Sequence, residues 1–179
     1  MITIRPIREH EIQSAKHVIL TVAYGIFGWE GTLEESIQYF ESTGTLDDMD
    51  DFQAEYIDRD GLFLAVLDDE TLIGSGAIRK IDEEIAELKR MWLLEAYHGK
   101  GLGFALMQQL LEFARGQGYG AVRLQTSPRQ ARAIHFYKGV GFREIPCYND
   151  DTSEISMELP LSGTNPQQDT SSLKSKEAP

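Results

Sequence analysis

Apolar and polar residues alternate over the opening ITIRPI, the two-residue period of a half-buried strand. The period then changes, and Ile12, Ala15, Ile19, Val22, Ala23 and Ile26 recur at helical spacing up to Gly28. Thr32 is placed to cap a second, short helix reaching Phe40, with Glu34 and Glu35 at the positive end of its dipole. LFLAVL (62–67) and TLIGSGAIRKI (71–81) flank the turn Asp68-Asp69-Glu70 and predict a β-hairpin, and IAELKRMWLL (85–94) predicts a further strand. Three strands in succession imply an antiparallel meander. HGKGLG then opens a helix with Leu102, Leu106, Leu110 and Phe113 on one face, stopped by Gly116, Gly118 and Gly120. AVRLQT (121–126) reads as a strand, and Ser127-Pro128 supplies an N-cap and a first-turn proline for a helix through Val140 that Gly141 ends. FREIP (142–146) and SEISMEL (153–159) complete a strand pair. The order βααβββαβαββ, without an internal repeat, predicts an α/β protein with a central mixed sheet flanked by helices.

A length of 179 residues suits one domain. Residues 160–179 hold only Leu161, Leu173 and Ala178 as apolar groups and cannot offset the entropy of ordering, so residues 1–159 are expected to fold and 160–179 to form a polar tail. The charge of −12 is concentrated in the folded part, with Asp47, Asp48, Asp50, Asp51, Glu55, Asp58 and Asp60 crowded into 46–60 against Arg59 alone. That stretch reads as a solvated loop, or else as a negative rim that concentrates a cationic acceptor. Net negative charge disfavours nucleic acid as a partner. No run of apolar residues suits a membrane span and MITIRPIREHE lacks the apolar core of a signal peptide, so the expectation is a cytoplasmic protein with no membrane partner. A single cysteine, Cys147, supports neither an internal disulfide nor a multi-thiolate metal site, and His10, His17 and His135 lack metal-ligand spacing.

His98-Gly99-Lys100-Gly101-Leu102-Gly103 stands between a strand and a helix. Glycines there let a ligand approach the backbone, and the helix N-terminus offers free N–H groups and positive potential, with Lys100 adding a full charge. That combination suits an anion, a phosphate above all. The stretch lacks the Ser or Thr of a Walker A loop, and its third glycine falls one place early for a dinucleotide fingerprint.

Taken together, the strand ELKRMWL (87–93), the HGKGLG turn and the later Ala133-Ile134-His135-Phe136-Tyr137-Lys138-Gly139-Val140-Gly141-Phe142 resemble the GNAT superfamily of acetyl-CoA-dependent N-acetyltransferases. The likeness covers 2–159 in element order and about 85–145 in motifs. The pattern Arg/Gln-x-x-Gly-x-Gly/Ala maps onto His98, Gly101 and Gly103, with His98 a departure at the first position. Ala-x-x-Phe-Tyr-x-x-x-Gly-Phe maps onto Ala133, Phe136, Tyr137, Gly141 and Phe142, and Gln130 stands where the family often has Asn.

The resemblance implies acetyl-CoA as co-substrate, with no metal, and a primary amine of a small molecule or peptide as acceptor, attacked in a ternary complex. It implies the diphosphate on the amides of 100–104, involving Lys100, Gly101, Leu102, Gly103 and Phe104 beside His98 and Gly99. It also implies the pantetheine arm along Leu93, Leu94 and Glu95, the Leu93 N–H toward the thioester oxygen, and further contacts from Gln130 and Ala133. An alkylammonium of pKa ~10.4 is neutral about once in 2,500 molecules at pH 7, a deficit of roughly 4.6 kcal/mol that calls for a base. Glu87, eleven residues before His98, matches the catalytic glutamate of histone-type members. It would serve as base directly or through water, or else pair with Lys89 or Arg90. Tyr137 matches the proton donor to the leaving thiolate, against plain core packing. Tyr24, Phe27 and Trp29, with Glu30, form either an acceptor wall or core. Lys89, Arg90 and Tyr148 suit an acceptor bearing a carboxylate as well as a cationic one. Rival readings are a non-catalytic acyl-CoA-binding module, and an acyltransferase with another donor or a hydroxyl acceptor. A homodimer is an expectation that no residue pattern supports.

Overall fold

A computed structural model describes residues 1–161. The chain runs β1 (Ile2–Pro6), α1 (Ile12–Phe27), α2 (Leu33–Ser42), α3 (Asp47–Asp50), α4 (Phe52–Glu55), β2 (Leu62–Asp68), β3 (Thr71–Lys80), β4 (Ile85–Leu93), α5 (Leu102–Gln117), β5 (Ala121–Thr126), α6 (Ala131–Val140), β6 (Arg143–Ile145) and β7 (Ile155–Pro160). The strands form one sheet in the order β1-β2-β3-β4-β5-β7-β6. Only β4 and β5 run parallel, as expected where a helix crosses over between neighbours.

Both faces of the sheet are covered, which is why LFLAVL is apolar throughout instead of alternating. Phe63, Ala65 and Leu67 face a core with Ala15, Val18, Ile19 and Leu20 of α1. Leu64 and Val66 face the other, with Leu106, Met107, Leu110, Leu111 and Ala114 of α5. The buried stripe of α5 thus runs through Met107 and Leu111, while Leu102 and Phe113 only flank it. A Cβ at Gly76 would stand 3.1 Å from a Leu106 methyl, so this glycine lets α5 lie close on β3.

Four expectations change. The helix expected from Ser127-Pro128 begins only at Ala131, because Ser127 starts a turn: its carbonyl accepts from the Gln130 N–H at 2.9 Å. Helix α5 continues through Gly116 and ends at Gly118, whose left-handed φ of 89° suits a residue without Cβ. The acidic stretch is not a loop, although most of its carboxylates are solvent-exposed as expected. It folds into α3, α4 and a 3-10 turn, because Leu46, Met49 and Tyr56 recur at helical spacing and are buried in the α1-side core. Asp50 pairs with Lys16 at 2.6 Å. Finally, Pro160 closes β7 opposite Ala121, and Leu161 donates to the Gly120 carbonyl at 2.7 Å, so the expected tail starts inside the sheet. Its remainder, 162–179, lies outside the described residues. Among those described, no helix is long and apolar enough to cross a membrane.

Candidate active site

β4 and β5 pair only over Ile85, Ala86 and Glu87 with Ala121, Val122 and Arg123. Beyond Glu87, β4 continues to Leu93 bonded to β3 alone, and β5 continues to Thr126 bonded to β7. The two central strands therefore part, leaving an opening in the sheet. A bulge accentuates it: Ser75 faces Trp92 but Ala77 faces Lys89, so β4 carries one extra residue, and Arg90 turns at φ 53°. The Leu94 N–H donates to the Ile73 carbonyl at 2.9 Å. By the alternation of an antiparallel ladder, the N–H and C=O of Leu93 then point toward the opening.

The glycine turn stands beside it. Gly99 and Gly101 have φ of 75° and 78°, and a Cβ at either would meet no atom within 4 Å. Gly101 is the N-cap of α5 and supplies no side chain, so the first N–H groups of the helix are left without intrahelical or side-chain acceptors. His98 Nε2 is 2.9 Å from the Leu93 carbonyl. A carbonyl only accepts, so Nε2 is the protonated nitrogen of that contact. His98 Nδ1 is buried and is the one such side-chain polar atom without a partner among the described residues.

These elements enclose a cleft of about 730 Å³. It gathers Leu93, Leu94, Glu95, His98, Gly99, Gly101, Leu102, Gly103, Phe104, Gln130, Ala133 and Tyr137, as the motifs suggest. Lys100 is not in its lining: the ammonium lies 4.7 Å from the centre of the Tyr97 ring. Gln130 lines it, but its carbonyl oxygen accepts from the Thr126 hydroxyl at 3.1 Å and the Ser127 N–H at 3.0 Å. Tyr137 is packed edge-on between Phe136 and Phe142, with ring centres 5.7 and 5.8 Å away. Burial pushes its phenol up to about 12, so it keeps its proton at neutral pH.

Glu87 lies apart from that lining, on the α1 side of the sheet, and is 8% exposed. One carboxylate oxygen accepts from Arg79 Nε at 2.8 Å and the other from the Tyr148 hydroxyl at 2.9 Å. Its partner is thus Arg79, not Lys89 or Arg90. Burial and the Glu87 charge drive the Tyr148 phenol well above its ordinary value. Arg90 is held by Asp48 through both carboxylate oxygens.

Sequence reasoning missed as site residues Thr21, Val22, Gly25 and Ile26 of α1 and the arginines Arg129 and Arg132, which also line the cleft. Arg129 donates to the Phe27 carbonyl at 2.9 Å, tying the end of α1 to the start of α6. Tyr24 and Phe27 each pack on Trp29 and Trp29 on Phe40, with the Trp29 ring centre 4.3 Å from that of Phe40 and 5.7 Å from that of Phe27. Cys147 lies in the β6–β7 loop, its thiol donating to the Asn149 carbonyl at 3.0 Å.

A divided sheet with a cleft between β4 and the N-terminus of the following helix defines an acyl-CoA acyltransferase-like fold. The sequence profile of the Acetyltransferase (GNAT) family matches residues 29–142, more than half of the 179, and the chain belongs to that family. Human N-acetyltransferase 8B is 31% identical over 103 residues, covering 54% of this chain and 45% of that protein. N-acetylaspartate synthetase of Danio rerio is 33% identical over 116 residues, covering 64% of this chain and 41% of that protein. The chain thus spans less than half the length of these curated relatives. The crystal structure of PaiA N-acetyltransferase from Thermoplasma acidophilum in complex with coenzyme A superposes with a TM-score of 0.72 at 23% identity, over 89% of this chain and 99% of that one. That likeness concerns the fold.

Proposed function

We propose that the protein is an N-acetyltransferase that moves the acetyl group of acetyl-CoA to a primary amine by direct attack in a ternary complex. The observation that carries this reading is the convergence, in one cleft, of the uncapped N-terminus of α5, the free edge of β4 at Leu93 and the Tyr137 hydroxyl. The names of its curated relatives, an N-acetyltransferase and a synthetase of N-acetylaspartate, support an amine acceptor.

The residues present fit the co-substrate. The open N–H groups at the glycine turn suit a diphosphate, and the orphaned His98 Nδ1 marks a polar partner to come. The strand edge expected over 93–95 is shorter than that, because β4 ends at Leu93 and Glu95 opens a 3-10 turn; it is the Leu93 N–H that is left for the pantetheine arm, placed to stabilise charge at a carbonyl oxygen. Bound acetyl-CoA supplies an activated thioester. The new C–N bond forms as the C–S bond breaks; the departing thiolate takes the Tyr137 proton, and the second proton that the nitrogen sheds as the amide forms returns to the Tyr137 oxygen. Glu87 accepts the proton lost by the ammonium through the hydroxyl of Tyr148, which passes its own proton on. Holding both reactants in one cleft lowers the entropy cost of their meeting.

Thiol release from acetyl-CoA, measured with a panel of amino acids, polyamines and basic peptides, tests the proposal. Acetylated amine in step with thiol supports it. Coenzyme binding without turnover would make the protein a binding module instead.

A further inference from the structure

Between the α1 side of the sheet and the β6–β7 loop lies a strip of charged side chains on adjacent strands. Arg79 pairs with Glu87 and Glu55, Arg90 with Asp48, and Arg123 with Glu158 at 2.7 Å. Glu55 is also shared with Arg59. Lys89 stands among them and, in the described residues, makes no hydrogen bond or ion pair. Its position opposite Ala77 puts it on the same face as Arg79 and Glu87. It is the first α1-side residue of β4 after pairing with β5 has ended, so it sits at the mouth of the opening.

A cation held part-buried without a counter-ion is costly. Burial draws the Lys89 ammonium below the ordinary lysine value, and Glu87 only partly opposes this. The surrounding carboxylates are spoken for by the arginines, so none is free to swing toward Lys89. Lys89 is not among the residues that line the cleft, whose β4 share begins at Met91, but in a chain of net charge −12 an unmatched cation two residues short of that lining points to an anion supplied by the substrate.

We propose that the acceptor is an amino acid whose carboxylate docks on Lys89, with the amine directed toward the thioester position near Leu93. The inference rests on the acetyl-transfer reading and names its acceptor class. Tyr148 borders the same place, because Arg123 lies 5.6 Å from the centre of its ring and its hydroxyl holds Glu87. The carboxylate would thus be anchored beside the group that receives the proton from the amine.

The experiment compares L-aspartate, L-leucine and L-phenylalanine, each against the compound with carboxamide in place of carboxylate, in thiol release by the full chain. Lys89→Met and Lys89→Arg are assayed beside the native protein. At least one amino acid should exceed its amide by about tenfold or more in kcat/KM, the scale of one charge-assisted hydrogen bond. Lys89→Met should raise KM for that amino acid by about 10- to 100-fold with acetyl-CoA affinity unchanged, and Lys89→Arg should restore most of it. Amides acetylated as well as the acids would overturn the inference and leave acetyl transfer standing. So would a fall in kcat at unchanged KM, which would make Lys89 a proton-transfer group. If no amine is acetylated while coenzyme binds, both proposals fail.

Discussion

Arg90 and Asp48 clasp each other across 42 residues of sequence, guanidinium to both carboxylate oxygens, with side chains 17% and 15% exposed. Arg90 also donates to the Thr45 carbonyl at 3.1 Å, and its own carbonyl accepts from the Ser75 hydroxyl at 2.9 Å. The clasp holds a non-glycine residue at φ 53°, at the bulge that turns β4 away from β5. A charged pair outside the cleft lining thereby shapes it.

Removing one member of such a pair strands the other's charge in a poorly solvated place. Asp48→Ala should destabilise the fold by about 3 kcal/mol in urea unfolding, and should raise KM for acetyl-CoA as the β4 edge relaxes. Unchanged stability would show that the clasp is dispensable.

The same pair sets a pH dependence. Burial opposes the Asp48 charge, but Arg90 and the Tyr56 hydroxyl outweigh it and hold the carboxyl below its ordinary value. A group depressed on folding contributes stability above its unfolded value, about 3.9, and loses it as pH falls through the folded one. Unfolding free energy should therefore drop below about pH 4, and Asp48→Asn should flatten that part of the profile. Both are read by urea titrations at stepped pH.

Tyr137→Phe removes a buried proton donor and leaves the ring packing on Phe136 and Phe142 in place. We expect kcat to fall about 100-fold with coenzyme affinity within about twofold, measured by steady-state thiol release and calorimetry. An unaffected rate would take Tyr137 out of the mechanism.

Gly101→Glu places a carboxylate at the N-terminus of α5 and a side chain at φ 78°. Coenzyme A binding should weaken by about 100-fold or more in calorimetry, while the circular dichroism spectrum stays that of the native protein. Gly101→Ala, which adds backbone strain without the charge, should weaken it less. Equal affinity in both variants would place the anion elsewhere.

The elements and the cleft differ in how much of them is legible in the chain. Helical period, strand alternation and the residues that end elements act over a few positions, so α1, the β2–β3–β4 meander and the glycine turn before α5 are readable from local sequence. The positions of Tyr137 and of the strand edge at Leu93 follow from motifs anchored to those elements. The acidic stretch misleads because its charge is conspicuous, whereas the spacing of Leu46, Met49 and Tyr56 is the signal that counts.

The sequence by itself determined the order of the strands and of the longer helices and the glycine turn before α5, since these depend on backbone sterics and neighbouring side chains. Only the tertiary structure decided that Glu87 pairs with Arg79 and Tyr148, that Asp48 holds Arg90, and that Lys89 has no partner among the described residues. Those outcomes depend on strand register and on contacts between residues as far apart as Glu87 and Tyr148, 61 positions along the chain. Electrostatic pairing is a property of distance in space, and folding alone sets that distance.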